Sequence, residues 1–324
     1  MPELPEVETI ARGLARRLTG DRIESVWMGS KPEPLKSSAQ EIAATLERRH
    51  IAGIRRMGKH IVFDLDENDG ASSFLQQAHG ARPLVAAARF AGKAFQRGRP
   101  RSRGTVDDTA VGSINVRPTH TQRHGKAQWI VHLGMTGRLQ LCEPQEEILR
   151  HTHAILRLAS GKELRFVDPR RFGRLSVARH GDFEAGGVEP LEVELQPFAA
   201  LFRGRKTPIK SALLNQKLLR GVGNIYADES LFRAGIRPRR RAATVTREGL
   251  GKLHVAVKEV LREAIALGGS SVSDYVDADG EEGFFQLQHR VYGREGEPCL
   301  VCKTPIKRVV IAGRSSHYCP KCQK

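Results

Sequence analysis

The sequence predicts an α+β fold: a strand-rich N-terminal half, then helices, then a small metal-clamped ribbon. Three observations carry this. Short apolar/polar alternations punctuated by turn residues run to about Val177, helical periodicity takes over from about Gln196, and four of the five cysteines crowd into the last 26 residues. A chain of 324 residues has room for two cores and a small appended module.

A helix is expected over residues 5 to 18, with Val7, Ile10, Leu14 and Leu18 on one face and Gly20 as the stop signal. Glu6 lies at the edge of that face, where partial desolvation would raise its pKa while the helix N-terminus and a nearby amine would lower it. Alternating stretches follow at Arg22 to Val26, Ile61 to Leu65, Trp129 to Leu133, Ala154 to Leu158, Glu163 to Val167 and Gly173 to Val177. Short strands with turns between them suggest a sandwich or barrel rather than a parallel sheet. Residues 67 to 127 break the pattern, being rich in Gly, Ala, Ser and Thr, with ten Lys/Arg against three Asp after Glu67. They read as a long, mostly irregular basic insertion, with one short helix at Leu84 to Ala94, between two strands that would otherwise form a hairpin.

Beyond Gln196, a helix near residues 207 to 217 leads into LLRGVGN, where Asn224 is expected to cap the helix NIYADESLFRAG, closed by Gly235 and Pro238. A longer helix from about Thr246 places Leu250, Leu253, Val257, Leu261 and Ile265 on one face and ends at Gly268-Gly269. Two helices joined by a glycine-rich turn make either an ordinary helical corner or a phosphate site at a helix N-terminus.

Cys299 and Cys302 are two residues apart, as are Cys319 and Cys322, and 16 residues separate the pairs. Four thiolates at this spacing are the ligand set that one tetrahedral structural Zn²⁺ prefers; two disulfides or redox-active CxxC pairs are the competing readings, and a basic chain with no secretory signature makes both minor. Between the pairs, IKRVVIAGRSSHY alternates around Ala312-Gly313 as a β-hairpin, with Arg314 at its tip. Cys142 reads as an idle thiol.

The 53 Lys+Arg against 36 Asp+Glu leave a formal charge of +17, which points to a polyanionic partner. The sequence has no 18-residue apolar run and no signal-type N-terminus, so a cytoplasmic protein with nucleic acid as ligand is expected, and no membrane. The opening MPELPEVET adds a chemical possibility. Removal of Met1, which a small second residue permits, leaves Pro2 with a secondary amine of pKa roughly 8, a nucleophile able to form an iminium directly. The competing reading is a proline in the first turn of a helix.

Pro2-Glu3, HLGMTG around Met135, DPRRFG around Arg170, GVGNIYADE around Asn224 and the four-cysteine ribbon occur here in one order. Together they closely resemble the bacterial formamidopyrimidine-DNA glycosylase family, over nearly the whole chain outside the insertion. The resemblance implies a β-sandwich with the catalytic helix at residues 1–190, a helix–two-turns–helix domain with a lesion-capping loop at 191–290, and a zinc ribbon at 291–324. It implies a monomeric base-excision repair enzyme, cytoplasmic and nucleoid-associated, that acts on damaged double-stranded DNA as glycosylase and AP lyase toward 8-oxoguanine and formamidopyrimidines. On the same ground Pro2 attacks C1′, Glu3 shuttles protons, Glu6 supports them, Lys59 serves β-elimination and Arg314 serves δ-elimination. Met135, Arg170 and Phe172 match the residues that fill the void left by the flipped nucleotide, and His151, Arg205 and Asn224 match DNA-binding positions. Arg205 stands where some relatives have Lys. Ser270-Ser271 replace a Thr pair in the capping loop and keep its hydroxyls. Alternatives are an endonuclease VIII-like enzyme for oxidised pyrimidines, whose usual opening has Gly at the position of Leu4, a non-catalytic zinc-dependent nucleic-acid binder, and a zinc-ribbon protein of the ribosome or transcription machinery.

Overall fold

The structure, a computed structural model, describes residues 1–31, 34–66, 127–179, 183–271 and 283–324. The expected insertion, apart from Ala127, and positions 272–282 of the expected capping loop lie outside the described residues.

Helix α1 (Leu4–Leu18) is followed by β1 (Ile23–Met28), α2 (Ala39–Leu46), β2 (His50–Met57), β3 (His60–Asp66), β4 (Ala127–His132), β5 (Arg138–Cys142), β6 (Thr152–Leu158), β7 (Glu163–Val167) and β8 (Arg174–Arg179). The strands form two four-stranded sheets, ordered β1-β6-β7-β5 and β2-β3-β4-β8, with every pairing antiparallel. Both sheets feed one core with α1, in which Val7, Ile10, Leu14 and Leu18 meet Phe63, Trp129 and Phe166. This is a sandwich, not a barrel. The strands flanking the insertion pair as the sequence suggested, Ile61 opposite Val131 and Phe63 opposite Trp129. The first strand starts one residue later than expected and runs on to Met28.

Three elements were not legible. Helix α2 is capped by the Ser38 hydroxyl, which accepts the Glu41 N–H at 3.1 Å. β2 and β5 are edge strands, and β2 carries a register shift at Ile51/Gly53 that breaks its alternation.

The helical part comprises α3 (Leu195–Ala200), α4 (Ile209–Leu213), α5 (Asn224–Arg233) and α6 (Arg247–Ala266). α4 stops well short of residue 217. The Asn215 side chain accepts the Lys217 N–H at 3.0 Å, a local turn that competes with helix continuation. Asn224 is not the cap of α5: Gly223 is, in an extended conformation, and Asn224 is the first helical residue. Thr246 caps α6 by accepting the Gly249 N–H at 3.1 Å, and Leu250, Leu253, Val257 and Leu261 are buried as expected, while Ile265 is only partly so. Leu4 belongs to this second core, and its N–H bonds the Gly221 carbonyl at 3.0 Å, which plugs the N-terminus into the helical half. The hairpin β9 (Lys307–Ile311) and β10 (Arg314–Tyr318) turns through Ala312 and Gly313, both at positive φ.

Candidate active site

The N-terminus of α1, the β2–β3 turn, the Met135 turn, the α4–α5 turn and the tip of the β9–β10 hairpin converge on one cavity of about 540 Å³. That volume is within the usual range of a small-molecule pocket. Pro2, Glu3, Glu6, Lys59, Met135, Asn224 and Arg314 all line it, together with the exposed Met1.

Glu3 is the N-cap of α1 and only 4% exposed. Its Oε1 accepts the Ile225 N–H at 3.3 Å, and its Oε2 is buried without a hydrogen-bond partner. Burial pushes this carboxyl up to about 7, against the opposing pull of the Lys59 ammonium. Lys59, itself buried in the turn after β2, is shifted down by the same desolvation, with Glu3 and Glu6 opposing. The site thus holds a carboxyl that keeps its proton near neutral pH beside a lysine that gives one up more readily than usual. Glu6 is tied on three sides: it accepts the Glu3 N–H at 2.8 Å, the Ser270 N–H at 2.8 Å and the Tyr226 hydroxyl. It holds the N-terminal segment and the start of the 270 loop to one carboxylate.

Gly223 decides where Glu3 can sit. A Cβ there would lie 2.1 Å from Glu3 Cδ, so only glycine lets the α5 N-terminus approach this carboxyl. Gly223→Ala is expected to displace Glu3 and lower the single-turnover rate of the reaction carried out at this cavity by about 10²-fold. An unchanged rate would show that Gly223 does not set the carboxyl's position.

Two adjacent turns carry Met135, Arg170 and Phe172. Buried Asp168 pins them, accepting the Thr136 hydroxyl at 2.6 Å and the Gly173 N–H at 2.7 Å. Met135 is 42% exposed and Phe172 52%, so neither is a core residue, and the Arg170 guanidinium lies 4.8 Å from the Phe172 ring centroid. His151, at φ 74°, sits on the loop before β6, and exposed Arg205 turns its Nε onto the Leu201 carbonyl at 2.5 Å. Neither lines the cavity.

The ribbon is fastened to α5 by a buried ion pair. Lys210 Nζ lies 2.7 Å from Asp228 Oδ1 and donates to the Ser315 carbonyl at 2.6 Å, while Asp228 Oδ2 accepts the His317 N–H at 2.9 Å. The Asn224 amide donates to Ser315 Oγ at 3.3 Å, which places Asn224 beside Arg314. The four thiols are free of disulfides, and their sulfurs all lie within 4.8 Å of one another. Tetrahedral Zn–S bonds of about 2.3 Å need sulfurs about 3.8 Å apart, so the donor set fits one Zn²⁺.

Sequence reasoning missed Gly223, Asp168, Tyr226 and the Lys210–Asp228 pair. The signal available was a polar residue at an apolar helical register, Lys210 and Asp228, and an Asp before a Pro-containing turn, Asp168.

Residues 1–175 match the family described as the formamidopyrimidine-DNA glycosylase N-terminal domain, 187–276 its H2TH domain, and 296–324 a zinc finger found in FPG and IleRS. The chain belongs to the formamidopyrimidine-DNA glycosylase family. It is 41% identical to a formamidopyrimidine-DNA glycosylase of Solibacter usitatus, with 100% of each chain covered. The crystal structure of the MutM (FPG) protein of Thermus thermophilus is similar at 36% identity and a TM-score of 0.74, covering 99% of this chain and 98% of that one. A Lactococcus lactis FPG mutant, solved in complex with a Fapy-dG containing DNA, matches at 27% identity and a TM-score of 0.77 over 100% of both chains. This glycosylase-family chain has no helix, among its described residues, long and apolar enough to cross a membrane.

Proposed function

We propose that the protein is a bifunctional DNA glycosylase and AP lyase of base excision repair, acting as a monomer on oxidised purines in double-stranded DNA. The observation that carries the reading is the meeting of Pro2, Glu3, Lys59, Asn224 and Arg314 at one cavity. Its substrate puts it with the chromosome, in the cytoplasm and at the nucleoid. Residues 1–190 serve as the catalytic domain, 191–290 as the DNA-binding helical domain and 291–324 as the ribbon, whose zinc is structural.

Once Met1 is removed, the Pro2 amine attacks C1′ of the damaged nucleotide, the C1′–N bond electrons leave with the base, and the N–H proton shed by the substituted amine neutralises the departing base. Protonated Glu3 delivers a proton as the sugar ring opens at O4′, leaving an iminium between Pro2 and C1′. The iminium is an electron sink that acidifies C2′. Lys59 takes that proton and the 3′ phosphate leaves, and Arg314 assists loss of the 5′ phosphate in the second elimination. Met135, Arg170 and Phe172 fill the space of the flipped nucleotide, offsetting an unstacking cost of a few kcal/mol. Asn224, His151 and Arg205 bind the DNA strand, with Glu6 holding the nucleophile segment in place.

Product analysis tests this. A duplex with one 8-oxoguanine opposite cytosine is expected to yield a one-nucleotide gap with phosphate on both ends, whereas an intact abasic site as final product would contradict the lyase roles.

The Glu3 carboxyl also fixes a pH dependence. Its folded-state pKa of about 7 lies above the ordinary 4.5, so the folded protein holds a proton that the unfolded chain releases. The stabilising contribution is full below about pH 4.5 and is lost as pH rises to about 7, amounting to about 3 kcal/mol at most. Glu3→Gln is expected to flatten Tm against pH across that window and, with no carboxyl proton to deliver, to cut the excision rate by about 10²-fold or more. Parallel wild-type and variant Tm profiles, or a wild-type excision rate in the variant, would contradict the assignment.

A further inference from the structure

Arg56 of β2 joins four segments of chain. Its side chain is 7% exposed, and Nε donates to Glu8 Oε2 of α1 at 2.6 Å. Its two terminal nitrogens grip Glu189 in a fork, Nη2 to Oε1 at 2.9 Å and Nη1 to Oε2 at 3.0 Å, and Nη1 also donates to the Gly58 carbonyl at 3.3 Å. Glu189 Oε2 accepts in turn from Arg220 Nε at 3.2 Å. These contacts adjoin working groups: Glu8 shares α1 with Glu3 and Glu6, Gly58 precedes Lys59, and Arg220, reached through Glu189, precedes Gly221, whose carbonyl receives the Leu4 N–H. Packing on the Arg220 side chain is close, since a Cβ on Gly58 would lie 3.3 Å from Arg220 Cβ.

A buried ion cluster is often no more stabilising than apolar residues of the same volume, so stability alone does not account for it. What a guanidinium supplies is direction, five donors in a fixed plane that a lysine cannot reproduce. We infer that Arg56, with Glu8 and Glu189, is a positioning residue for the lyase step, setting the β2–β3 turn so that Lys59 faces the carbon next to the Pro2 iminium. The inference rests on Lys59 serving β-elimination.

The test uses full-length, zinc-loaded protein, wild type and R56K, R56Q, E8Q and K59A, with single-turnover β-elimination measured on a duplex carrying a preformed abasic site. Base excision on an 8-oxoguanine duplex, Kd for the abasic duplex and Tm are measured alongside. R56K and R56Q are expected to lose about 10²-fold in elimination rate while Kd stays within about threefold, with the lysine giving no rescue and E8Q, which spares the Glu189 fork, falling between. The elimination pH profile of R56K should also move alkaline, because a lysine released toward solvent regains its ordinary pKa. K59A retaining lyase activity would overturn the Lys59 reading beneath the proposal. With K59A inactive, two results overturn the Arg56 proposal itself: wild-type elimination rates in R56K and R56Q, or elimination, excision and Kd that decline together with Tm and with no alkaline shift. Should R56Q fail to fold, R56K and E8Q decide by the same criteria.

Discussion

Pro2→Gly is expected to cut the borohydride-trapped enzyme–DNA adduct by about 10²-fold or more, the order lost when a nucleophile leaves its near-attack position. The variant keeps an amine, yet a primary one, and it loses the ring that fixes the direction of the nitrogen lone pair ahead of the helix. The surrounding anchors, Leu4 N–H on Gly221 and Glu3 N–H on Glu6, remain. The N-terminus should therefore stay in the cavity, and DNA affinity, which we assign chiefly to Asn224, Arg314 and the basic surface, should change little. Trapping at the wild-type level would identify a different nucleophile, and lost binding would show that Pro2 shapes the site rather than reacts in it.

Cys302→Ser should release the zinc and unfold the ribbon. Among the described residues, the apolar cluster at the knuckles is small, Phe232, Val291 and Ile306 around Cys299 and Cys319. Metal binding in isolated ribbons of this kind is worth on the order of 10 kcal/mol, far more than such a cluster can replace. With the hairpin gone, Arg314 leaves the cavity and Asn224 loses its contact with Ser315. DNA affinity is expected to fall at least about tenfold, or about 1.4 kcal/mol, and any residual lyase activity should stop before the second elimination. A variant that holds one equivalent of zinc and binds DNA normally would refute the ribbon's role.

Much of this was legible because local chemistry and global fold agree. α1 announces itself by its apolar face, the hairpin by Ala312-Gly313, and the metal centre by cysteine spacing alone. β2 was lost because its bulge and arginines hide the alternation, and those same arginines include Arg56, which acts across the fold. The cap of α5 lies one residue before the Asn224 that the sequence points to. Asparagine is the usual cap, but the deciding contact is with Glu3, 220 residues upstream of Gly223, and no local rule encodes it. Lys210 and Asp228 were passed over for the same reason: each looks like an ordinary charged residue until the ribbon closes on them.

The measurement that bears most directly on the central claim is borohydride trapping of the zinc-loaded protein, with Met1 absent, on a duplex with one 8-oxoguanine opposite cytosine and in parallel on a thymine-glycol duplex, followed by mapping of the adducted peptide. The account predicts a covalent adduct on the first duplex, little on the second, and attachment at the amine of Pro2. Preference for thymine glycol, attachment elsewhere, or no adduct on either duplex would contradict it.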